Sequence, residues 1–163
     1  MLQGWFFSFC AKFYGLIITT GSGLQSLFLL YMRLTWGHQA LNAGIGKLSN
    51  ITNVILFFEG LHIPFPHFNA YLVGIVETFG GAMLMLGLGS RLAAIPLAIT
   101  MLVALSTAHA PDLSELRFLT DPNLLVRQAP YPLLITSLLV LVFGPGRVSL
   151  DALIRRWAER RWY

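Results

Sequence analysis

Four ionisable side chains stand within or at the ends of long apolar segments, where an isolated charge is unfavourable. They are Arg33, Lys47, Glu77 and His109. A lone cation near the middle of a membrane span costs on the order of 2.5–3.5 kcal/mol. Arg33 must therefore pair with another group, contact water, or extend its aliphatic side chain so that the guanidinium reaches the headgroups. A buried carboxylate such as Glu77 similarly requires a nearby cation or a proton. We therefore expect these residues to mark the functional part of the molecule.

Glu77 lies about two helical turns inside its apolar segment, while Lys47 and His109 lie at the ends of two other segments, at a similar level. A carboxylate next to an ammonium or imidazole can accept and release protons. We predict that Glu77, Lys47 and His109 form a polar cluster. The alternative is an ion pair that only fixes helix register, without chemistry.

One helical face carries both cations of the first segment with small residues between them. Its members are spaced i, i+4, i+7, i+11 and i+14, namely Arg33, Gly37, Ala40, Gly44 and Lys47. Gly74 and Gly81 similarly flank Glu77 on one face of the next segment. Such stripes either line a ligand site, here with Arg33, Gly37, Gly44 and Gly81, or allow close helix packing. Both interpretations remain open at this stage.

His38 and Asn42 are i, i+4 on the opposite face of the first segment, which makes His38 a secondary candidate ligand. The sequence has no HxxxH, ExxH or Cys/His set, so we predict no bound metal. The single cysteine, Cys10, excludes an intrachain disulfide. Haem, flavin, phosphate-loop and nucleic-acid motifs are also absent from the sequence.

The composition places the elements that carry these residues in a lipid bilayer. Of 163 residues, 56% are apolar and only 11% are charged, and the mean hydropathy is +0.69. Because hydrocarbon tolerates no unpaired backbone amide, the long apolar runs predict spanning helices. We predict an all-α, integral membrane, antiparallel four-helix bundle in a single domain, 1–163, with spans at about 22–46, 70–89, 92–109 and 129–146.

Three flanking helices are predicted around these spans. Two glycines in "TTGSG", residues 19–23, predict a break that leaves residues 2–18 as an interfacial N-terminal helix. The apolar stretch before Pro64 and Pro66 predicts a short helix in the outer loop, followed by an extended connection. Residues 149–163 predict an amphipathic C-terminal helix that begins at Ser149, with Asp151 and Arg155 spaced i, i+4.

Basic residues set the expected orientation. Lys12, Arg91 and the five arginines after Gly146 fall on one side of the predicted topology, against Lys47, Arg117 and Arg127 on the other. By the positive-inside rule, both termini face the cytoplasm of a bacterial inner (plasma) membrane. The net charge of +4 is concentrated in the C-terminal tail, which indicates contact with anionic lipid rather than nucleic acid.

Three blocks resemble the DoxX family of bacterial membrane proteins: "MRLTWGHQALNAGIGKL", the stretch from "FFEGLHIPFPHF" through "VETFGGAMLMLGLGSRLA" to "MLVAL", and "FGPGRVSLDALI". The resemblance covers about residues 27–153 in order. The matching positions include Arg33, Gly37, Gly46, Lys47, Glu77, Gly80, Gly81, Gly87 and Arg91. It implies a four-helix membrane protein, and some members are associated with quinone-linked oxidation, including a subunit of thiosulfate:quinone oxidoreductase.

This resemblance implies a membrane subunit of a quinone-linked oxidoreductase system, with quinone as the expected cofactor. Lys47 or His109 would donate a hydrogen bond to the quinone and Glu77 would relay protons. Electrons would come from the substrate or from a partner oxidoreductase protein. The alternatives are a non-catalytic scaffold or small-molecule carrier, and proton-coupled transport, for which a homo-oligomer would supply further helices.

Overall fold

A computed structural model describes the backbone of residues 2–108 and 122–160, and the side chains of these residues except 2–11, 22 and 122. The described helices, in chain order, are α1 (Leu2–Ser49), α2 (Ile51–Gly60), α3 (Pro66–Leu86), α4 (Ser90–Thr107), α5 (Pro122–Val126), α6 (Pro130–Phe143) and α7 (Leu150–Glu159). The predicted all-helical membrane fold is confirmed.

Three of these helices are long and apolar enough to cross a membrane: α1 from Lys12 onward, α3 and α4. The fourth predicted span corresponds to α6, which has 14 residues and is therefore about 21 Å long. That length is less than the roughly 30 Å of a hydrocarbon core. A fourth crossing therefore stays a prediction.

The predicted break at residues 19–23 is wrong, because α1 is continuous over 48 residues. There is accordingly no separate N-terminal helix. Each glycine costs a helix only about 1 kcal/mol, and hydrogen bonds from the Thr19 and Thr20 hydroxyls to the carbonyls of Gly15 and Leu16 keep the threonines compatible with the helix. Among the described side chains of α1, which exclude residues 2–11 and 22, the first buried one is Leu29.

The short helix predicted between the first two spans is confirmed as α2, but the connection that follows it is shorter than predicted. Helix α3 begins at Pro66 itself, because proline is well suited to the first turn, where its missing N–H is not needed. At the end of the chain, Ser149 caps α7 as predicted by accepting a hydrogen bond from the amide of Ala152, at 3.1 Å.

The packing order places the candidate residues at two ends of the bundle. Helix α1 packs along α3, α3 along α4, α4 along α6, and α6 returns to α1. The core between them consists of Ala40, Leu84, Ala94, Leu97, Met101, Leu133 and Val140. We call the end with the Gly87–Gly89 turn and the start of α7 the turn end, and the end with Lys47 and α2 the loop end.

Candidate functional site

An ion pair between α1 and α3 lies at the loop end. The ammonium of Lys47 donates a hydrogen bond to Oε2 of Glu77. Glu77 is buried, with 4% of its surface exposed, whereas the side chain of Lys47 is 30% exposed. The pair therefore has a closed side at the carboxylate and an accessible side at the ammonium.

Glycines bring the two helices close enough for this pairing. A Cβ atom added to Gly81 would lie 2.8 Å from the carbonyl oxygen of Gly37, and one added to Gly44 would lie 2.8 Å from that of Gly74. The backbones of α1 and α3 are therefore in direct contact at these positions. A short α1–α3 separation in turn lets Lys47 reach Glu77 without crossing open space.

The glycine contact decides between the two interpretations of the stripe. Lining of a ligand site was one of the two interpretations for Gly37, Gly44 and Gly81, but a neighbouring helix fills the space over each of them. Close helix packing is the correct interpretation for all three, because residues without a side chain allow the backbones to touch. A ligand of the ion pair must therefore approach from the exposed side of Lys47.

Arg33 lies at the turn end and is separated from the ion pair. It is 14 residues from Lys47 along α1, which corresponds to about 21 Å. Its side chain is fully buried, at 0% exposure, and Nη2 donates to the carbonyl oxygen of Val148 at 2.6 Å. Two corrections follow: Arg33 does not share a site with Lys47, and its guanidinium is buried inside the bundle and does not extend outward from it.

The turn end is built around this buried guanidinium. Gly87, with φ of +70°, adjoins it, and a Cβ at that position would overlap Nη1. Nε and Nη1 have no hydrogen-bond partner among the described residues. The carboxylate of Asp151 acts favourably on the guanidinium through its charge, which offsets part of the desolvation cost.

Asp151 has a structural role that the sequence analysis missed. Its carboxylate accepts hydrogen bonds from the amides of Gly89 and Ser90, at 2.7 and 3.1 Å, and so caps α4 from a distant part of the chain. The available signal was that α4 starts after Gly89, which has no side chain for capping. Arg155 pairs with Glu159 at 3.9 Å, not with Asp151 as the spacing suggested.

The two histidine candidates have different outcomes, and the structure describes only His38. His38 is exposed on α1 and its Nε2 lies 3.1 Å from Nδ2 of Asn42, one turn along the same helix. His109 lies outside the described residues, so its place in the cluster stays a prediction. Among the side chains that the structure describes, no three His, Cys, Asp or Glu residues are grouped to hold a metal ion.

Comparisons with known proteins agree with the membrane fold. The family model named DoxX matches residues 28–110. A protein named putative oxidoreductase CatD from Bacillus subtilis is 26% identical over 127 residues, which cover 77% of this chain and 85% of CatD. The uncharacterized membrane protein Rv3486 from Mycobacterium tuberculosis is 36% identical over 107 residues, 63% of this chain and 64% of Rv3486. No solved structure matches the chain.

Proposed function

This chain belongs to the DoxX family, and we propose that it is the membrane subunit of a quinone-linked oxidoreductase system. Two findings support the proposal. A relative is named a putative oxidoreductase, and the bundle holds a buried carboxylate next to an accessible ammonium. The proposal places the quinone head against Lys47, on the side that the glycine contact leaves open.

The exposed side of Lys47 is the observation that carries this assignment. An ammonium has three N–H donors, and one of them is directed at Glu77. The others are available to a ligand, because the side chain is 30% exposed and no second acceptor contacts it among the described residues. A donor next to a buried carboxylate suits a flat, apolar molecule with carbonyl oxygens.

The two side chains would divide the proton chemistry. Conversion between quinone and quinol moves two electrons and two protons, one proton at each oxygen. Lys47 would hold one carbonyl oxygen by a hydrogen bond, and Glu77 would exchange the proton of that oxygen through the Lys47 ammonium, because the carboxylate itself is buried. The other oxygen would exchange its proton with water. The electrons would pass to or from a partner oxidoreductase.

A thermal-shift experiment tests the site. Purified protein in detergent is mixed with decylubiquinone, a short-tailed quinone, and the melting temperature is compared with that of a solvent control. We expect the quinone to raise the melting temperature of the wild type, and Lys47→Met and Glu77→Gln to abolish the shift. Glu59→Gln is the matched control, because it neutralises an exposed carboxylate on α2 and should keep the shift. No shift in the wild type would refute the proposal.

The direct glycine contact favours a second candidate function, a non-catalytic scaffold or small-molecule carrier. In that case the ion pair would only fix the register of α1 on α3, because buried pairs can specify packing without chemistry. The two functions differ in redox activity. Membranes that contain the protein and its native partners, supplied with the reduced substrate of the partner oxidoreductase as electron donor, should reduce decylubiquinone in a Glu77-dependent manner if the first function is correct.

A further inference from the structure

An open cavity of about 550 Å³ lies at the turn end, opposite the Lys47–Glu77 pair. Its walls come from residues 25–29 of α1, the start of α4, the end of α6, the segment 144–147 and α7. The site is independent of the proposed function, because it shares no residue with the ion pair. The residues that decide its chemistry are Arg91, Arg147, Arg155, Asp151, Leu92 and Phe143.

Three arginines reach the cavity from three separate parts of the fold. Arg91 belongs to the first turn of α4, Arg147 to the segment before α7, and Arg155 to α7. Arg91 and Arg147 form no ion pair with any described side chain, and Arg155 has only an exposed partner, Glu159, at 3.9 Å. Arg91 also donates a long hydrogen bond to the carbonyl of Val142, at 3.4 Å. The cavity therefore presents guanidinium groups whose charge is not neutralised by a close carboxylate.

Among the described residues that line the cavity, Asp151 is the single carboxylate, and its oxygens already accept hydrogen bonds. They accept hydrogen bonds from the amides of Gly89 and Ser90 and lie 3.3 Å from the Ser90 hydroxyl. The same carboxylate acts on the buried Arg33. The carboxylate oxygens therefore bind groups of the protein itself. The three arginines outnumber this one carboxylate, so the cavity carries a net positive charge that suits an anion.

Apolar side chains at the rim identify the kind of anion. Leu92 and Phe143, which also line the cavity, are 74% and 57% exposed. They stand where α4 begins and α6 ends, at the level where apolar spans give way to polar flanks. An anion with acyl chains satisfies both the arginines and this rim, whereas free phosphate satisfies only the arginines.

We propose that this cavity binds the phosphate of an anionic phospholipid, with Arg91, Arg147 and Arg155 around the headgroup and the acyl chains along Leu92 and Phe143. Basic pockets at the membrane surface recognise anionic headgroups in this way. The site would attach the turn end to one leaflet at a fixed position. It would also hold α7 against the start of α4.

Native mass spectrometry of the purified protein with added lipid tests the proposal. We expect dioleoylphosphatidylglycerol to bind in preference to dioleoylphosphatidylcholine. The double variant Arg91→Gln/Arg147→Gln should lose on the order of tenfold or more in affinity for the anionic lipid. Both arginines are exposed, so the variant should fold, and an unchanged melting temperature without lipid checks this. Arg91→Lys/Arg147→Lys should retain part of the affinity.

The matched control is Arg156→Gln/Arg160→Gln. It removes the same charge from α7 and the adjoining surface, but these two residues do not line the cavity. Equal loss in both double variants would mean diffuse attraction to lipid and would overturn the proposal. Equal binding of the two lipids by wild type would do so as well. Displacement of the lipid by millimolar inorganic phosphate would show a free-anion site instead.

Discussion

Lys47 and Glu77, 30 positions apart in the chain, form an ion pair that joins the end of α1 to the middle of α3. The backbone contact at Gly44 and Gly81 holds the two helices close enough for Lys47 to reach Glu77. The most direct consequences of this relationship concern stability.

Removal of either partner should have unequal effects. Lys47→Met leaves a buried carboxylate without a cation and should destabilise the fold by about 3–5 kcal/mol. Glu77→Gln leaves an ammonium that is already 30% exposed and can turn to solvent, so we expect a cost of about 1–2 kcal/mol. The measurement is the unfolding midpoint in a sodium dodecyl sulfate titration from mild detergent.

The double variant Lys47→Met/Glu77→Gln supplies the control for this asymmetry. It should be more stable than Lys47→Met alone, because the second change removes the unpaired charge. Strictly additive losses would contradict a coupled pair.

The glycine contact predicts opposite results at two neighbouring positions. Gly44→Ala should destabilise the protein by about 1–3 kcal/mol, because the new methyl group would overlap the backbone of α3 at Gly74 and Thr78. Gly46→Ala faces open space on the same helix and should be neutral or stabilising by up to about 1 kcal/mol. Similar unfolding midpoints for the two variants would rule out direct backbone contact.

The long-range cap at the turn end predicts that Asp151→Ala is harmful. The change removes the acceptor for the amides that begin α4 and the charge that acts on Arg33. We expect a cost of about 1–3 kcal/mol. Glu159→Ala, an exposed acidic residue on the same helix, should change the unfolding midpoint by less than about 0.5 kcal/mol.

Reporter fusions decide whether α6 crosses the membrane. With four crossings, both termini lie on the same side, which the positive-inside rule predicts to be the cytoplasm. Green fluorescent protein fused to either end should then fluoresce, and alkaline phosphatase should stay inactive. A fusion at residue 50, in the predicted outer loop, is the control and should show the reverse pattern. Opposite locations for the two termini would mean an odd number of crossings, as expected if the short α6 does not span.

The sequence by itself determined the positions of the helices and their membrane character. Long apolar runs in lipid must close their own hydrogen bonds, so they can only be helical. The sequence also predicted the ends of a helix where a local residue fixes them, as Ser149 does by capping α7. The break predicted at residues 19–23 was wrong, because two glycines weaken a helix without ending it.

Tertiary structure decided which charges meet and what fills the space between helices. Helical periodicity places Arg33 and Lys47 on one face of α1. It does not predict that each of them binds a different group, or that these groups lie at opposite ends of the bundle. Lys47 meets Glu77 on α3, whereas Arg33 meets a carbonyl 115 positions away. Those partners depend on how α3, α4 and α7 pack, and packing arises from contacts between segments that no local pattern encodes.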